Sequence, residues 1–346
     1  MKSEARAAVF VPHLGCPNDC VFCNQRAIAG VTVPATPEDV HTAAERVRSA
    51  GARNAEIAFF GGSFTAIERG YMRSLLEAAS DELEKGGFSG IRLSTRPDCV
   101  DDKVLDELKA AGVTIIELGA QSMRDAVLEK SGRGHTAEDT RRASALIKAH
   151  GIRLGLQMMT GLPGDDDDGA LYTANELVKL APECVRIYPT VVLKNTALAC
   201  MYERGEYVPQ TVDEAVTLCA RLVRVFDAAG VKVIRLGLQR TESCESDIIA
   251  GAWHPAFGEL VYGELKYEDM RRYFEDDPPE KGAVYAVSCG SENVSVYVGQ
   301  KRGNLLRLET EFGIKLKTDT SGAFPEGAIT KLQTKGTPLA RAEDRQ

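Results

Sequence analysis

Three cysteines, Cys16, Cys20 and Cys23, stand within eight residues near the start of the chain. Thiolates are ligands for soft metals, and three of them on one tight loop suit a [4Fe–4S] cluster whose fourth iron stays open. The other six cysteines are dispersed along the sequence. The spacing therefore predicts a metal site at residues 16–23 and gives no reason to expect a second cluster.

Two other uses of these cysteines, a disulfide and a structural zinc site, are alternatives to the cluster. A disulfide would leave one of the three unpaired, and the first residues do not resemble a signal peptide. A structural zinc site takes four protein ligands, and the sequence holds no second C-x-x-C or H-x-x-H pair. From spacing alone the cluster is favoured, and zinc remains the alternative.

The composition sets limits on the class of protein. With 346 residues, 44% hydrophobic and 27% charged, the chain has the make-up of a globular protein. It has no apolar run long enough to cross a membrane. A net charge of −8 argues against a surface built broadly for nucleic acid. Dispersed cysteines without a secretory signal predict a cytoplasmic location.

Predicted strands and helices alternate along most of the chain. This rhythm is typical of a parallel sheet with right-handed crossovers. We expect an α/β fold, a partial (β/α)6 TIM-like barrel with a small C-terminal α+β extension. Thr36 and Pro37 mark the start of the first helix. The predicted strands cover residues 7–12, 54–60, 91–95, 113–119, 153–159, 184–189 and 231–238.

Polar residues follow the predicted strands at their carboxyl ends. In barrels of this kind the chemistry lies at that end of the strands. We therefore expect the cysteine loop to face one group of side chains and backbone positions across the barrel mouth. That group is Gly61, Gly62, Ser94, Gln121, Gln157 and Tyr188.

The pattern changes after residue 240. Strand-like segments at 282–289, 294–299 and 314–317 follow one another without predicted helices. We expect three parts: a barrel over residues 1–240, an extension with antiparallel strands over 241–330, and a mobile tail over 331–346. The tail has few hydrophobic residues, which favours mobility.

The cysteine spacing and several further blocks resemble the radical S-adenosylmethionine (SAM) superfamily. The chain is most similar to the radical domain of the elongator complex catalytic subunit, and some blocks also resemble oxygen-independent coproporphyrinogen dehydrogenases. We see no acetyltransferase domain like that of the elongator subunit. The matching blocks are residues 61–65, 95–98, 117–122, 133–136, 158–164 and 187–190.

The resemblance implies cofactors and roles for individual residues. It implies a [4Fe–4S] cluster on Cys16, Cys20 and Cys23, an open iron that binds SAM, and a one-electron reductant of the flavodoxin or ferredoxin type. Reductive cleavage of SAM then yields a radical that abstracts hydrogen from the substrate. The implied cofactor-binding residues are Phe22, Gly61, Gly62, Ser63, Ser94, Gln121, Arg133, Gln157 and Tyr188.

Three hypotheses for the substrate or role stay open at this point. By resemblance, the substrate is a tRNA base. Lys301, Arg302, Arg307 and residues 315–317 are candidates for phosphate contacts, although ordinary solvated charge is the favoured explanation of them. A porphyrin-like or other small molecule is the alternative substrate. A non-catalytic metal-binding protein is the alternative role. His135 is interpreted either as a proton donor or as a hydrogen-bonding residue at a helix start, and His13 as structural.

Overall fold

The computed structural model describes residues 5–11, 16–24, 33–238 and 242–332. The chain divides into two compact units, Met1–Pro255 and Ala256–Gln346. This division lies later than the predicted boundary after residue 240, because a strand at Ile248–Gly251 pairs with one at Val191–Leu193 in the first unit. Of the predicted mobile tail, residues 333–346 lie outside the described residues.

The first unit is built on a curled parallel sheet, as the sequence predicts. In the described part of the chain seven strands form it, in the order β1-β2-β3-β4-β5-β6-β8. The seventh strand, Lys232–Leu236, lies beside the sixth and corresponds to the strand predicted at 231–238. The strands are β1 (Arg6–Val11), β2 (Ala55–Gly61), β3 (Phe88–Thr95), β4 (Val113–Gln121), β5 (Arg153–Thr160), β6 (Cys184–Pro189) and β8 (Lys232–Leu236). A separate antiparallel pair joins β7 (Val191–Leu193) to β9 (Ile248–Gly251).

Helices connect these strands, and side-chain caps fix where several of them begin. Thr36, Thr136 and Thr211 each form a capping box, with an acidic residue three positions later bonding back to the threonine backbone. The predicted helix start at Thr36 and Pro37 is confirmed. The helices are α1 (Pro37–Ser49), α2 (Arg69–Glu84), α3 (Asp102–Ala110), α4 (Asp125–Lys130), α5 (Ala137–Ala149), α6 (Asp167–Lys179), α7 (Ala197–Glu203), α8 (Val212–Ala228) and α9 (Glu242–Asp247).

The second unit has more helix than the sequence predicts. It contains α10 (Phe257–Asp276), β10 (Val284–Ser288), α11 (Val294–Val298), α12 (Gly303–Phe312), β11 (Lys315–Asp319) and β12 (Ile329–Leu332). The predicted strand at 294–299 is wrong, because Val294–Val298 is helical. The prediction of antiparallel strands is half right, since β10 pairs antiparallel with β12 and parallel with β11. No helix in the described residues is long and apolar enough to span a membrane.

Candidate active site

A cavity in the first unit brings together many of the residues predicted from the sequence. Its lining comes largely from the last residues of the parallel strands. The predicted residues in this lining are Phe22, Cys23, Gly61, Ser94, Gln121, Gln157 and Tyr188. Cys16, Cys20, Gly62, Ser63 and Arg133 are not part of the lining, so each needs its own description.

The cysteine loop is fixed to neighbouring segments by backbone hydrogen bonds. The Cys23 N–H donates to the Cys20 carbonyl at 3.0 Å, which forms a tight turn. Val21 donates to Ser131 O at 3.1 Å and accepts from the Leu198 N–H at 2.8 Å. The loop is thereby tied to the turn after α4 and to the first residues of α7.

The thiols of this loop lie in a partly buried, positively charged neighbourhood. Cys20 is buried, and Cys16 and Cys23 are partly exposed. Burial raises the pKa of the Cys16 thiol, while the charges of Arg96 and Arg133 act to lower it. In the described ranges no three Cys, His, Asp or Glu side chains converge on one point as around a single metal ion. A cubane has a different requirement, because each of its three cysteines binds a separate iron.

A fourth thiol, Cys99, lies close to this loop. Burial raises its pKa, and it interacts with the Ser63 hydroxyl and with the charge of Cys16. The sequence interpretation counted Cys99 among the dispersed cysteines. Its position directly after Arg96-Pro97-Asp98, at the end of β3, could have placed it near the site.

Arg133 contacts the cysteine loop rather than the cavity. Its Nη1 donates to Cys20 Sγ at 3.3 Å, and its Nη2 donates to Gly119 O at 2.6 Å. Arg96 donates to the Arg133 carbonyl and forms a two-pronged ion pair with Asp98. A buried arginine that donates to a cysteine sulfur stabilises negative charge on that sulfur.

The Gly61-Gly62-Ser63 turn holds the end of β2 close to the end of β1. Gly61 has φ +113°, and a Cβ there would lie 2.3 Å from the Val11 carbonyl oxygen. Gly62 N–H donates to that same oxygen at 3.0 Å. Only glycine fits at position 61, so its backbone stays open to the cavity. Ser63 is buried, and its hydroxyl accepts from the Arg96 N–H at 3.1 Å.

Three amide and hydroxyl side chains line the cavity. Gln121 has φ 65°, and its Oε1 is buried with no hydrogen-bond partner in the described structure. Gln157 donates to Ser94 Oγ at 3.2 Å and to Glu117 Oε2 at 2.9 Å. A buried acceptor without a donor is costly, so Gln121 Oε1 fits a donor group on a bound ligand. Gln121 Oε1 therefore fits a cofactor with amino or hydroxyl donors.

A buried ion-pair network lies beside the cavity, and the sequence interpretation gave it no role. Glu117 is fully buried and accepts from Arg186 Nη2 at 2.9 Å and from Arg92 Nη1 at 2.8 Å. Arg92 also donates to Glu56 Oε2 at 2.7 Å. Burial alone would raise the pKa of Glu117, but Arg186 and Arg92 lower it to about 2. Charged residues inside otherwise apolar strands could have indicated this network.

Tyr188 and Arg186 occupy the same strand and line the cavity together. Burial raises the pKa of Tyr188, so its hydroxyl stays protonated at neutral pH. The Arg186 guanidinium lies over the Phe60 ring, 5.2 Å from its centre. The wall at this point offers aromatic faces and a cation side by side.

The two histidines singled out in the sequence have different outcomes. His135 is buried, lies outside the cavity lining, and its Nε2 is 3.2 Å from Ala120 O. Burial, aided by the charge of Arg133, lowers the pKa of His135 to about 4. This geometry agrees with the hydrogen-bonding interpretation of His135 rather than with proton donation to a substrate. His13 lies outside the described residues.

The basic residues predicted to contact phosphate lie in the second unit, and two of them are engaged within it. Arg307 forms an ion pair with Glu264 at 2.6 Å and lies 3.5 Å from the centre of the Tyr267 ring. Arg302 lies 3.4 Å from a Glu309 oxygen. Paired side chains of this kind are less available to a phosphate.

Comparison with known proteins gives the family. Residues 10–177 match the radical SAM superfamily, and residues 182–267 match the Radical_SAM C-terminal domain. The chain therefore belongs to the radical SAM superfamily, as the cysteine spacing and the strand-end residues predict. Members of this superfamily are enzymes that use a [4Fe–4S] cluster and SAM, which confirms the predicted class and cofactors.

Relatives within the superfamily include tRNA-modifying enzymes. The chain is 30% identical over 182 residues to the tRNA uridine(34) acetyltransferase of Methanocaldococcus jannaschii, covering 52% of this chain and 33% of that protein. It is 27% identical over 201 residues to Elongator complex protein 3 of Schizosaccharomyces pombe, covering 52% of this chain and 37% of that protein. The chain thus spans well under half of either relative.

A solved structure supports the fold. The archaeal Elp3 of Methanocaldococcus infernus, lacking its first residues, aligns with a TM-score of 0.59 at 23% identity. The alignment covers 79% of this chain and 63% of that one. At this identity the likeness bears on the fold alone, and it agrees with the curled parallel sheet.

Proposed function

We propose that this chain cleaves SAM reductively at a [4Fe–4S] cluster held by Cys16, Cys20 and Cys23, and abstracts hydrogen from a tRNA base. The observation that carries the proposal is the cavity, which joins Cys23 of the cysteine loop to Gly61 and to the unpartnered oxygen of Gln121. When bound and reduced, the cluster supplies the electron that breaks the sulfonium bond. The chain supplies the binding, the orientation and the electrostatics.

Each lining residue has a role that its geometry supports. Gly61 exposes backbone to the methionine amino group, because no side chain stands in the way. Gln121 Oε1 accepts a hydrogen bond from the cofactor, and Ser94 and Gln157 position the remaining polar groups. Phe22 and Tyr188 pack against the adenine ring.

Arg133 acts through the cysteine loop in this proposal. The resemblance implies that Arg133 binds the cofactor, whereas its two terminal nitrogens bond Cys20 Sγ and Gly119 O. We assign it to the stabilisation of negative charge on the cysteine sulfur. The cofactor carboxylate is then left to other groups of the cavity.

A tRNA base is the proposed substrate because relatives that match half of this chain carry the name tRNA uridine(34) acetyltransferase. Acetyl transfer is not part of the proposal. The reductant is proposed to be a flavodoxin or ferredoxin, and a cytoplasmic location stays a prediction.

The cluster and its chemistry are tested with cysteine variants. Anaerobically reconstituted protein with dithionite and SAM should release 5′-deoxyadenosine and contain about four irons per chain. The triple variant C16A/C20A/C23A should lose both the iron and the product. Cys200 is exposed and unpaired, so C200A is the matched control and should retain both. Equal 5′-deoxyadenosine from the triple variant would disprove the assignment.

The tRNA substrate is tested separately. Filter binding of total tRNA across a salt series should show affinity that falls steeply as salt rises, since phosphate contacts release counterions. Nucleoside profiling of tRNA from cells lacking the protein should reveal a missing modification. Absence of tRNA affinity even at low salt would exclude this substrate while leaving SAM cleavage intact.

A further inference from the structure

Among the described residues, the cavity has one arginine that no acidic side chain neutralises. Arg235 of β8 lines the cavity beside Arg186 of β6, and the two residues are direct partners in the strand register. Like charges directly opposite each other on neighbouring strands destabilise a sheet. Arg186 is neutralised by Glu117 through two hydrogen bonds, whereas Arg235 has no such partner.

The contacts of Arg235 leave most of its guanidinium unused. In the described structure its one hydrogen bond runs from Nε to the Gly237 carbonyl at 3.3 Å. Burial lowers the pKa of Arg235, Tyr188 acts to raise it, and the nearby charges of Arg186 and Arg6 lower it. No carboxylate in the described ranges forms an ion pair with it. An arginine held partly buried in this way lowers the stability of the fold unless a ligand completes it.

The charges around Arg235 also favour a negatively charged ligand. Two carboxylates, Glu56 and Glu117, face the buried arginines Arg92 and Arg186. Glu56 also pairs with Arg6 and Arg153, so the arginines of this network outnumber its two carboxylates, and Arg235 adds further positive charge at the cavity wall. The rest of that wall is largely apolar, with Phe60 and Met159 among its members. A flat, mostly apolar ligand with one negative group would match this surface.

We infer that Arg235 binds an oxyanion of the substrate, a phosphate or a carboxylate, at the side of the cavity formed by β6 and β8. The inference rests on the proposed function, because it takes this cavity as the substrate site. The anion site is separate from Gly61, Ser94 and Gln121, which belong to β2, β3 and β4, while Tyr188, the proposed adenine contact, lies next to it on β6. A planar guanidinium is suited to both anions, since it can donate two parallel hydrogen bonds.

The test compares ligands that differ only in the anion. Calorimetry with cluster-containing protein, without reductant, measures UMP against uridine for a phosphate and orotate against uracil for a carboxylate. In wild type the charged member of at least one pair should bind roughly tenfold tighter. R235Q should bring that ratio close to one, and R235K should restore part of it. The pair that responds identifies the anion.

A control variant and the cofactor complete the design. Arg204 is an exposed residue directly after α7 and is paired with Glu206, so R204Q should leave both ratios unchanged. R235Q should unfold at the same temperature as wild type or higher, because it removes an unneutralised charge. If R235Q is poorly folded, the affinity ratios of R235K are compared with those of wild type, and this comparison decides whether Arg235 binds the anion.

Three results would overturn the inference. One is the absence of any anion preference in wild type, and another is an equal preference in R235Q. The third is that R235Q weakens SAM but not decarboxylated SAM, which would assign Arg235 to the cofactor. If the wild-type protein shows the anion preference but does not bind tRNA, the proposed substrate is refuted and this inference stands.

Discussion

The interiors of the two units differ in the kind of side chain that they bury. The unit that ends at Pro255 buries charges at its centre, with Glu117 held between Arg92 and Arg186. The unit that begins at Ala256 buries rings, with Phe274 packed edge-on against Tyr285, 5.2 Å between ring centres, and against Phe312. Aromatic packing stabilises a small unit without help from a ligand, whereas buried charge is expensive and is retained where it serves a site.

This difference also separates the ways in which the units should fail. Loss of one charge in the first unit leaves the opposite charges without a partner in an interior that solvates them poorly. Loss of ring volume in the second unit removes contacts but leaves no charge behind. The polar interior of the first unit is therefore the more sensitive to a substitution that barely changes shape.

The largest effect is expected from E117Q. The substitution keeps the shape of the side chain but leaves Arg92 and Arg186 short of one negative charge. We expect the free energy of unfolding of the first unit to fall by about 3–5 kcal/mol. Trp253, the one tryptophan of the chain, lies in this unit, so its fluorescence during urea unfolding measures the loss.

The matched control is E311Q in the second unit. Glu311 accepts from Arg271 Nε at 2.8 Å and from the Tyr267 hydroxyl at 3.0 Å, but it is about one-third exposed. Its loss should change stability by no more than about 1 kcal/mol. Equal losses in E117Q and E311Q would show that burial does not distinguish the two interiors.

The sequence predicts the first unit far better than the second for a physical reason. The strands of a buried parallel sheet are nearly continuous apolar runs, and glycines or capping threonines such as Thr36 and Thr211 mark their connections. Those signals are local, so they can be read without knowing the partners. Likewise the residues at strand ends predict the cavity, because parallel strands carry their carboxyl ends to one edge.

In the second unit the local signals mislead. Val294–Val298 alternates valine with serine and tyrosine, which favours a strand, yet it packs as one short helix against the rest of that unit. The sequence does not predict the long helix α10, because its apolar residues do not form one clear stripe. Tertiary packing decides both cases, and it is not visible in a short window.

Charge pairing was also beyond the sequence. Glu56, Arg92, Glu117 and Arg186 are far apart along the chain, and only the strand register brings them together. The same holds for Arg133 and Cys20, which are 113 residues apart. A pattern can indicate that a charged residue is buried, but its partner depends on how the sheet curls.

A second prediction concerns pH and the buried His135. Its pKa is about 4 in the fold against an ordinary 6.5, so the unfolded chain takes up the proton first as pH falls. The contribution of His135 to the free energy of unfolding should be fully present above pH 6.5 and should decrease as the pH falls toward 4. For this residue the loss between pH 7 and pH 5 is about 2 kcal/mol. Urea unfolding followed by Trp253 fluorescence at a series of pH values measures it.

The control for the pH effect is H135N. Asparagine is a polar side chain that does not titrate, so the slope between pH 7 and pH 5 should flatten. The comparison stays above the range in which most carboxylates protonate. An unchanged slope in H135N would mean that another group drives the pH dependence.

A smaller effect than that of E117Q is expected from F274L in the second unit. Leucine keeps an apolar side chain where Phe274 now touches Tyr273, Tyr285 and Phe312, so the loss is one of packing alone. We expect a decrease of roughly 1–2 kcal/mol, seen as faster amide hydrogen exchange in β10. Iron content and SAM affinity should stay at wild-type values, because the proposed cluster and cofactor residues belong to the first unit. If F274L lowered SAM affinity, the apolar interior of the second unit would have to support the site as well. The contrast between the two interiors would then no longer separate binding from packing.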